Sequence, residues 1–266
     1  MDAEWERMAA DSTPSWYLHP LVAKQKREVH LRWIRRWDAE RRPGLLLKTD
    51  LFEDAFGEDT LLPALLANRQ RIIGFDWLSP VVQRAAQRFR GTALNALTAD
   101  CRTLPLGSAS VSTVLSPSTL DHFPVRPDFD SSIAELARVL EPGGLLLITL
   151  DNPRNPLYWM LRVMSRFGWT PFPLGYTPSP GVLDSQLREA GFEVLGREWL
   201  VHNPRLITTA IFMMLQKLLG RRSDRVVEFL LEFFDLLGAL PTRGITACFY
   251  ATCARKRAAP ARGGGP

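Results

Sequence analysis

The chain has 266 residues, 46% of them hydrophobic, which is enough to bury one substantial core. Its three cysteines lack the spacing of a zinc site or a disulfide framework, no metal site is predicted, and no apolar run is long enough to span a bilayer. The net charge of +5 comes mainly from KQKREVHLRWIRRW near the start and ARKRAAPAR near the end. Nucleic acid is a disfavoured partner because no recognition module accompanies these basic stretches, and peripheral membrane contact stays open without being favoured.

Residues 1–44 are predicted to form an N-terminal helical segment. Residues 1–13 are acidic and polar, unlike a secretory signal, so a cytoplasmic location is the default expectation. We expect these residues to be disordered or loosely attached. Residues 15–42 interleave apolar and basic positions and predict one or two helices, which Pro43 and Gly44 end.

Strands and helices alternate over residues 45–150. Strands are predicted at 45–49, 71–76, 96–100, 111–116 and 145–150, with helices at 80–90 and 128–140. This alternation predicts parallel βαβ units in a doubly wound α/β sheet. Ligands bind such sheets at the carboxyl ends of the strands, so the residues that follow each strand are the first candidates for a site.

The most informative stretch surrounds Pro142-Gly143-Gly144. A helix runs into this proline and the two glycines, which stop it and permit a backbone reversal, and 145–149 then reads as a strand buried on both faces. The helix, turn and buried strand resemble the fourth helix and fifth strand of a class I S-adenosylmethionine-dependent methyltransferase of the small-molecule, type 11-like branch. The resemblance implies a Rossmann-like, seven-stranded, mostly parallel sheet with S-adenosylmethionine as cofactor.

Acidic residues close the second and third predicted strands. By resemblance to the family, Asp76 would take the ribose hydroxyls, with Trp77 lying against the adenine or ribose. Asp100 would lie near the adenine amino group, with Cys101 beside it. A carboxylate suits a vicinal diol because it accepts both hydroxyl protons in charge-assisted bonds. The alternative is that Asp76 and Asp100 only cap the helices that follow them.

The first strand departs from the family pattern. The sequence LLLKTDLFEDAFG has Asp50, Leu51 and Phe52 where the family has a Gly-x-Gly turn. One interpretation is a rebuilt cofactor site made by Lys48, Thr49 and Asp50, in which a carboxylate pairs with the cofactor's amino group and Lys48 with its carboxylate. The other is a site that lost the cofactor, leaving a non-catalytic binding or scaffold protein on the same fold.

The fourth strand and the loop after it supply the remaining candidates. Ser116 ends this strand and is assigned to the cofactor site. In the resembled family the following segment borders both cofactor and substrate, so His122 is the candidate general base and Asp121 the group that orients it. The alternative is that His122 only forms hydrogen bonds within its own loop.

The core is predicted to span 45–202 and to close with a strand at 244–255, followed by a disordered tail at 256–266. Between them, 203–243 is a helical insertion, in which the second helix has acidic residues on one narrow face and is otherwise apolar. It could be a lid over a hydrophobic acceptor pocket, a homodimer interface, a membrane patch or a hairpin packed on the core. The acidic face favours a lid or a dimer contact over a membrane.

The predicted function is methyl transfer from S-adenosylmethionine to a small molecule. A hydrophobic acceptor molecule is one possibility. The acceptor, the atom methylated and the oligomeric state stay open.

Overall fold

The computed structural model describes residues 19–40, 43–57, 59–68, 71–169, 174–220 and 223–258. The predicted disorder of residues 1–13, and of the tail from residue 259 onward, lies outside the described residues.

The described residues form the following helices and strands. The helices are α1 (Pro20–Arg36), α2 (Phe52–Phe56), α3 (Leu62–Asn68), α4 (Ser79–Arg88), α5 (Arg126–Val139), α6 (Pro156–Arg166), α7 (Pro180–Glu189), α8 (Arg205–Leu219), α9 (Ser223–Leu236) and α10 (Arg243–Thr246). The strands are β1 (Leu46–Thr49), β2 (Ile72–Asp76), β3 (Leu94–Thr98), β4 (Val111–Pro117), β5 (Leu140–Asp151), β6 (Phe192–Leu200) and β7 (Phe249–Lys256). Short 3-10 turns lie at Asp38–Glu40, Leu120–His122 and Leu237–Ala239.

Within the described residues, seven strands form one sheet in the order β3-β2-β1-β4-β5-β7-β6. Neighbouring strands from β1 to β5 run parallel, and β7 runs antiparallel to both β5 and β6. The predicted doubly wound, mostly parallel sheet is therefore confirmed. The chain moves outward from β1 to β3 and then returns to β4 on the other side of β1, so a ligand crevice is expected where β1 and β4 end.

Both faces of the central strands are buried. Leu46 packs into a cluster with residues of α1 to α4, while the next residue, Leu47, packs into a second cluster with residues of α5 and α7. Successive side chains of a strand point to opposite faces, so a continuous apolar run serves two layers of helices at once. This explains why β1 and β5 show no polar alternation.

The structure corrects several predicted boundaries. The short helices α2 and α3 occupy the stretch between β1 and β2, where no helix was expected. Pro142 to Gly144 lie inside β5 as an irregularity of the ladder, because Val111 pairs with Leu140 but Thr113 already pairs with Leu145. Gly143 there has φ +80°, which only glycine adopts easily.

The closing strand also differs from its prediction. Residues 244–246 belong to α10, and β7 begins at Phe249 and continues to Lys256, a residue assigned in the prediction to the tail.

The insertion packs against the N-terminal helix. Phe212 of α8 and Val227 and Leu231 of α9 form a separate apolar cluster with Val22 and Ala23 of α1. The side-chain amide of Gln25 in α1 reinforces this contact by donating to the Leu231 carbonyl (3.2 Å) and to the Asp235 carboxylate (2.8 Å) of α9. No helix in the described part of the chain is long and apolar enough to cross a membrane.

We expect Phe129→Ala to lower the free energy of unfolding by about 3–5 kcal/mol, because Phe129 is fully buried between α5 and the sheet and its loss leaves a cavity. The same substitution at Phe229 of α9, which is 67% exposed, should change it by less than about 0.5 kcal/mol. Urea denaturation of both variants measures the difference. Equal losses would show that this face of α9 is buried core.

Candidate functional site

The loop after β1 keeps a glycine-like turn without glycine. Asp50 has φ +62°, the left-handed conformation that favours glycine and that Asp and Asn tolerate best among other residues. Its carboxylate stabilises the turn by accepting a hydrogen bond from the backbone N–H of Phe52 at 2.7 Å. The chain therefore turns directly from β1 into α2.

Asp76 joins this loop to the end of β2. Its Oδ2 accepts a hydrogen bond from the Leu51 N–H (3.1 Å), and its Oδ1 accepts one from the Leu78 N–H (2.9 Å). Asp76 is only 7% exposed. Burial, followed by the charge of Asp50, raises the pKa of Asp76 to about 7, and burial also raises the pKa of Asp50. The two carboxyl groups therefore form a coupled pair that resists full ionisation.

Lys48 lies beneath the loop. Its Nζ is 2.6 Å from Asp54 Oδ2 and donates to the Asp50 carbonyl at 2.5 Å. Asp54 is also bound by the hydroxyl of Thr60. Lys48 and Asp54 are both buried, and the ammonium group supports the backbone of the loop.

Thr49 and Ser116 connect the ends of β1 and β4. The Thr49 hydroxyl donates to Ser116 Oγ (3.0 Å) and lies 2.6 Å from the hydroxyl of Thr119. Thr49 and Ser116 are fully buried, whereas Thr119 reaches the cavity wall. These hydrogen bonds therefore hold the ends of β1 and β4 together behind the cavity wall.

A cavity of about 330 Å³ opens at the carboxyl ends of β1 to β4, within the roughly 300–1,000 Å³ usual for small-molecule sites. It contains six of the predicted site residues, namely Asp50, Asp76, Trp77, Asp100, Cys101 and His122. The predicted residues Lys48, Thr49, Ser116 and Asp121 are not among those that line it. The wall is completed by Phe52, Phe75, Leu78, Ala99, Arg102, Thr119, Phe123, Pro124 and Asp128.

Asp100 is held by an arginine. Arg102 Nη2 lies 2.6 Å from Asp100 Oδ2, its Nε contacts both oxygens at 3.0 Å, and its Nη1 reaches Asp128 Oδ1 at 3.0 Å. These hydrogen bonds lower the pKa of Asp100, so it stays ionised. Burial raises the pKa of the neighbouring Cys101 to about 12, which makes it a neutral thiol in the wall and no nucleophile.

The 3-10 turn after β4 separates the two residues assigned to catalysis. His122 lies on the cavity wall, near Asp50. Asp121 is 1% exposed, and its Oδ2 accepts a hydrogen bond from the Asp151 N–H at 2.7 Å. The carboxylate of Asp121 therefore ties this turn to the end of β5.

Sequence reasoning missed several of the residues that line the cavity. Arg102 could have been found from the sequence, because it follows Asp100 by two positions. Asp128 and Phe123 could not, because they reach the wall only through the path that the chain takes after β4.

A second, smaller cavity of about 50 Å³ lies on the other side of Asp50, where α1 contributes Lys26, Arg27 and His30.

Residues 54–148 match the family model described as a methyltransferase domain. The match begins after the loop formed by Asp50 and Phe52. No curated protein matches the chain in sequence.

Solved structures with the same fold include an S-adenosylmethionine-dependent methyltransferase from Mesorhizobium loti, at 14% identity and TM-score 0.57, covering 86% of this chain and 98% of that one. Haemonchus contortus phosphoethanolamine N-methyltransferase 2, solved with S-adenosyl-L-methionine, matches at 13% identity and TM-score 0.59 over 86% of this chain and 52% of its own. The [4+2]-cyclase SpnF matches at 18% identity and TM-score 0.55, covering 86% of this chain and 80% of that one. These structures share the fold of the chain.

Lys48→Met should lower the free energy of unfolding by roughly 3–5 kcal/mol, because it leaves the Asp54 carboxylate buried without its cation. The double variant Lys48→Met/Asp54→Leu removes both charges and should recover much of that loss. Urea denaturation of the two variants is the measurement. If adding Asp54→Leu lowered the free energy of unfolding again by a similar amount, the two residues would not act as a pair.

The raised pKa of Asp76 predicts how stability depends on pH. Its folded-state pKa of about 7 lies above the unfolded value near 3.9, so between these values the folded protein binds more protons than the unfolded chain. The contribution of Asp76 to the free energy of unfolding of the ligand-free protein should therefore fall as the pH rises from about 4 to about 7. Asp76→Asn cannot ionise and should flatten this slope, as measured by urea denaturation across that range; an unchanged slope would contradict the assignment.

Proposed function

We propose that the chain binds S-adenosylmethionine in the cavity at the ends of β1 to β4 and transfers its methyl group to a small molecule. The observation that carries the proposal is the placement of Asp76. Two backbone N–H groups fix its carboxylate at the end of β2, beside Trp77 and facing the cavity. A carboxylate held in this way suits the vicinal hydroxyls of a ribose, and Trp77 suits a flat base.

The charge of the cavity supports a cationic ligand. Among the described lining residues are Asp50, Asp76, Asp100 and Asp128, against the single guanidinium of Arg102. S-adenosylmethionine carries an ammonium group and a sulfonium centre, and the sulfonium supplies the methyl group. A cationic ligand near Asp50 and Asp76 would favour their ionised forms, so binding would relieve the unfavourable burial of these charges.

Each element of the site has a distinct part in this proposal. Asp50 would pair with the ammonium group of the ligand, and Asp100, held by Arg102, would present an oxygen to the adenine amino group. His122 lies on the wall near Asp50 and is the candidate to accept a proton from a hydroxyl or amine of the acceptor. Phe123 and Pro124 give the nearby wall an apolar character that suits an acceptor with an apolar part.

A second candidate function is a non-catalytic binding or scaffold role on the same fold. The observation that favours it is Phe52, which lies on the cavity wall where the family has glycine. A bulky side chain there reduces the space in which the backbone can approach a ligand. The [4+2]-cyclase among the fold's members is a reminder that a shared fold does not fix the reaction.

The cofactor assignment predicts that Asp76→Ala weakens S-adenosylmethionine affinity by roughly 1.5–3 kcal/mol, because a charge-assisted bond to a buried hydroxyl is lost. Isothermal titration calorimetry with S-adenosylmethionine and S-adenosylhomocysteine measures this. Asp130→Ala is the matched control, since it removes a carboxylate from α5 that does not line the cavity. Unchanged affinity in a folded Asp76→Ala protein would contradict the ribose assignment.

The double variant Asp50→Gly/Phe52→Gly separates the two candidate functions in the same titration. If the loop is a rebuilt cofactor site, restoring the glycines should weaken binding because the Asp50 contact is lost and the loop becomes more flexible. If Phe52 obstructs a site that has lost its cofactor, wild type should bind weakly or not at all, and the glycines should improve binding.

A further inference from the structure

Helix α6 and the residues after it present large aromatic side chains to solvent. Trp159 is 72% exposed, Phe167 64% and Trp169 70%. The rings of Phe167 and Trp169 stack on each other with their centroids 5.2 Å apart, and Met160 and Val163 add further exposed apolar area on the helix. We refer to residues 156–169 as the α6 surface. Contiguous apolar patches of this kind are unusual on a free protein surface and mark an interaction site.

The α6 surface is held in place at its start. Tyr158 is the helix residue that packs inward. Asn155 caps the helix by accepting a hydrogen bond from the Leu157 N–H (2.9 Å), and its amide donates to the carbonyls of Thr246 (3.2 Å) and Ala247 (3.0 Å) beside α10. The exposed aromatic side chains are therefore presented by an anchored helix.

The charged residues of the segment that contains these aromatic side chains have one sign. The sequence contains no Asp or Glu from residue 152 to residue 183, whereas it has Arg154, Arg162 and Arg166, all of which are exposed. Helix α9 also exposes apolar side chains but differs in charge, because it carries Glu228, Glu232 and Asp235. A helix with Trp and Phe on its apolar side and only arginines as charged groups has the composition of an interfacial helix.

We propose that the α6 surface docks the protein onto the headgroup region of an anionic lipid bilayer. With 11 residues, α6 is too short to span a bilayer and would lie in its surface plane. The Trp and Phe rings would enter the interface, and the arginines would pair with lipid phosphates. Two copies meeting through this surface would bring arginines together without any acidic partner from the same segment, which disfavours self-association.

The α6 surface lies at the same edge of the sheet as the cavity. Helix α6 follows β5 at the carboxyl edge of the sheet, and the chain beyond it returns to the cavity wall. The Gly175 N–H donates to the Asp121 carbonyl (2.9 Å) and the Tyr176 N–H to the Phe123 carbonyl (2.6 Å). A Cβ on Gly175 would lie 2.1 Å from the Phe123 carbonyl oxygen, so this contact requires glycine. Docking through α6 would therefore bring the cavity close to the bilayer.

Vesicle flotation of the full chain tests the proposal, with one set of vesicles made of phosphatidylcholine and another of equimolar phosphatidylcholine and phosphatidylglycerol. We expect binding to the anionic vesicles, little binding to the neutral ones, and weakening by salt. Trp159→Ala/Phe167→Ala/Trp169→Ala should reduce partitioning at least about tenfold, because buried aromatic area is lost. Arg162→Gln/Arg166→Gln should also reduce it at least about tenfold, since each arginine contributes roughly a factor of five near an anionic surface.

Phe229→Ala/Phe233→Ala is the matched control, because it removes exposed aromatic side chains from α9 and should leave vesicle binding unchanged. All substituted side chains are exposed, and thermal unfolding checks that each variant is folded. Absence of binding to anionic vesicles would overturn the proposal, as would equal loss in the α9 control. Sedimentation showing a dimer that the α6 variants abolish would overturn it in favour of a contact between copies. None of these outcomes depends on cofactor binding or methyl transfer.

Discussion

The carboxylate of Asp76 is the group on which the geometry of the site depends. It accepts hydrogen bonds from Leu51, in the loop after β1, and from Leu78, just beyond β2. These bonds hold the ends of two neighbouring parallel strands in a fixed relation, and the cavity opens between them. This arrangement buries one acidic group, Asp76, beside a second one, Asp50, which disfavours the ionised form of Asp76. The pKa of Asp76 is raised for this reason. A site that keeps two carboxyl groups in this strained relation is poised for a positively charged ligand.

The first loop shows how a turn can be preserved while its residues change. Asp50 takes the left-handed conformation and satisfies the Phe52 N–H with its own side chain. Beneath it, Lys48 and Asp54 neutralise each other and anchor the loop's carbonyl. Glycine leaves room for a ligand to approach the backbone, whereas here the side chains of Asp50 and Phe52 form the wall. The loop therefore offers a ligand a carboxylate and a ring where a glycine turn offers only backbone.

The helices outside the sheet divide into two groups with different surroundings. Helices α8 and α9 pack on α1 through their own apolar cluster, and no described residue of the 203–243 insertion lines the cavity. That placement supports a structural or interface role for the insertion over a lid. Helix α6, in contrast, arises at the carboxyl edge of the sheet and is connected to the wall of the cavity on its C-terminal side. Helices α9 and α6 also differ in charge, with acidic residues on α9 and arginines on α6.

The sequence by itself determined the alternation of strands and helices, the doubly wound sheet, and the acidic residues at the end of β2 and just after β3. These follow from local patterns, because an apolar run bounded by turn residues predicts a buried strand, and parallel strands bring their carboxyl ends to one edge. Asp76 and Asp100 could therefore be assigned to one cavity without any coordinates. The short helices α2 and α3 were missed because five and seven residues make too few turns for a helical period to be recognised in the sequence.

Only the tertiary structure decided which polar side chains near the strand ends face the cavity. Lys48 lies on the same face of β1 as Leu46, toward the cluster with α1 to α4, where Asp54 meets it. Ser116 and Asp121 are bound by Thr49 and by the Asp151 N–H, partners that lie on other strands. A side chain's direction depends on the alternation of its strand and on partners from distant parts of the chain. Sequence spacing alone carries no information about those partners, which exist only once the strands are packed side by side.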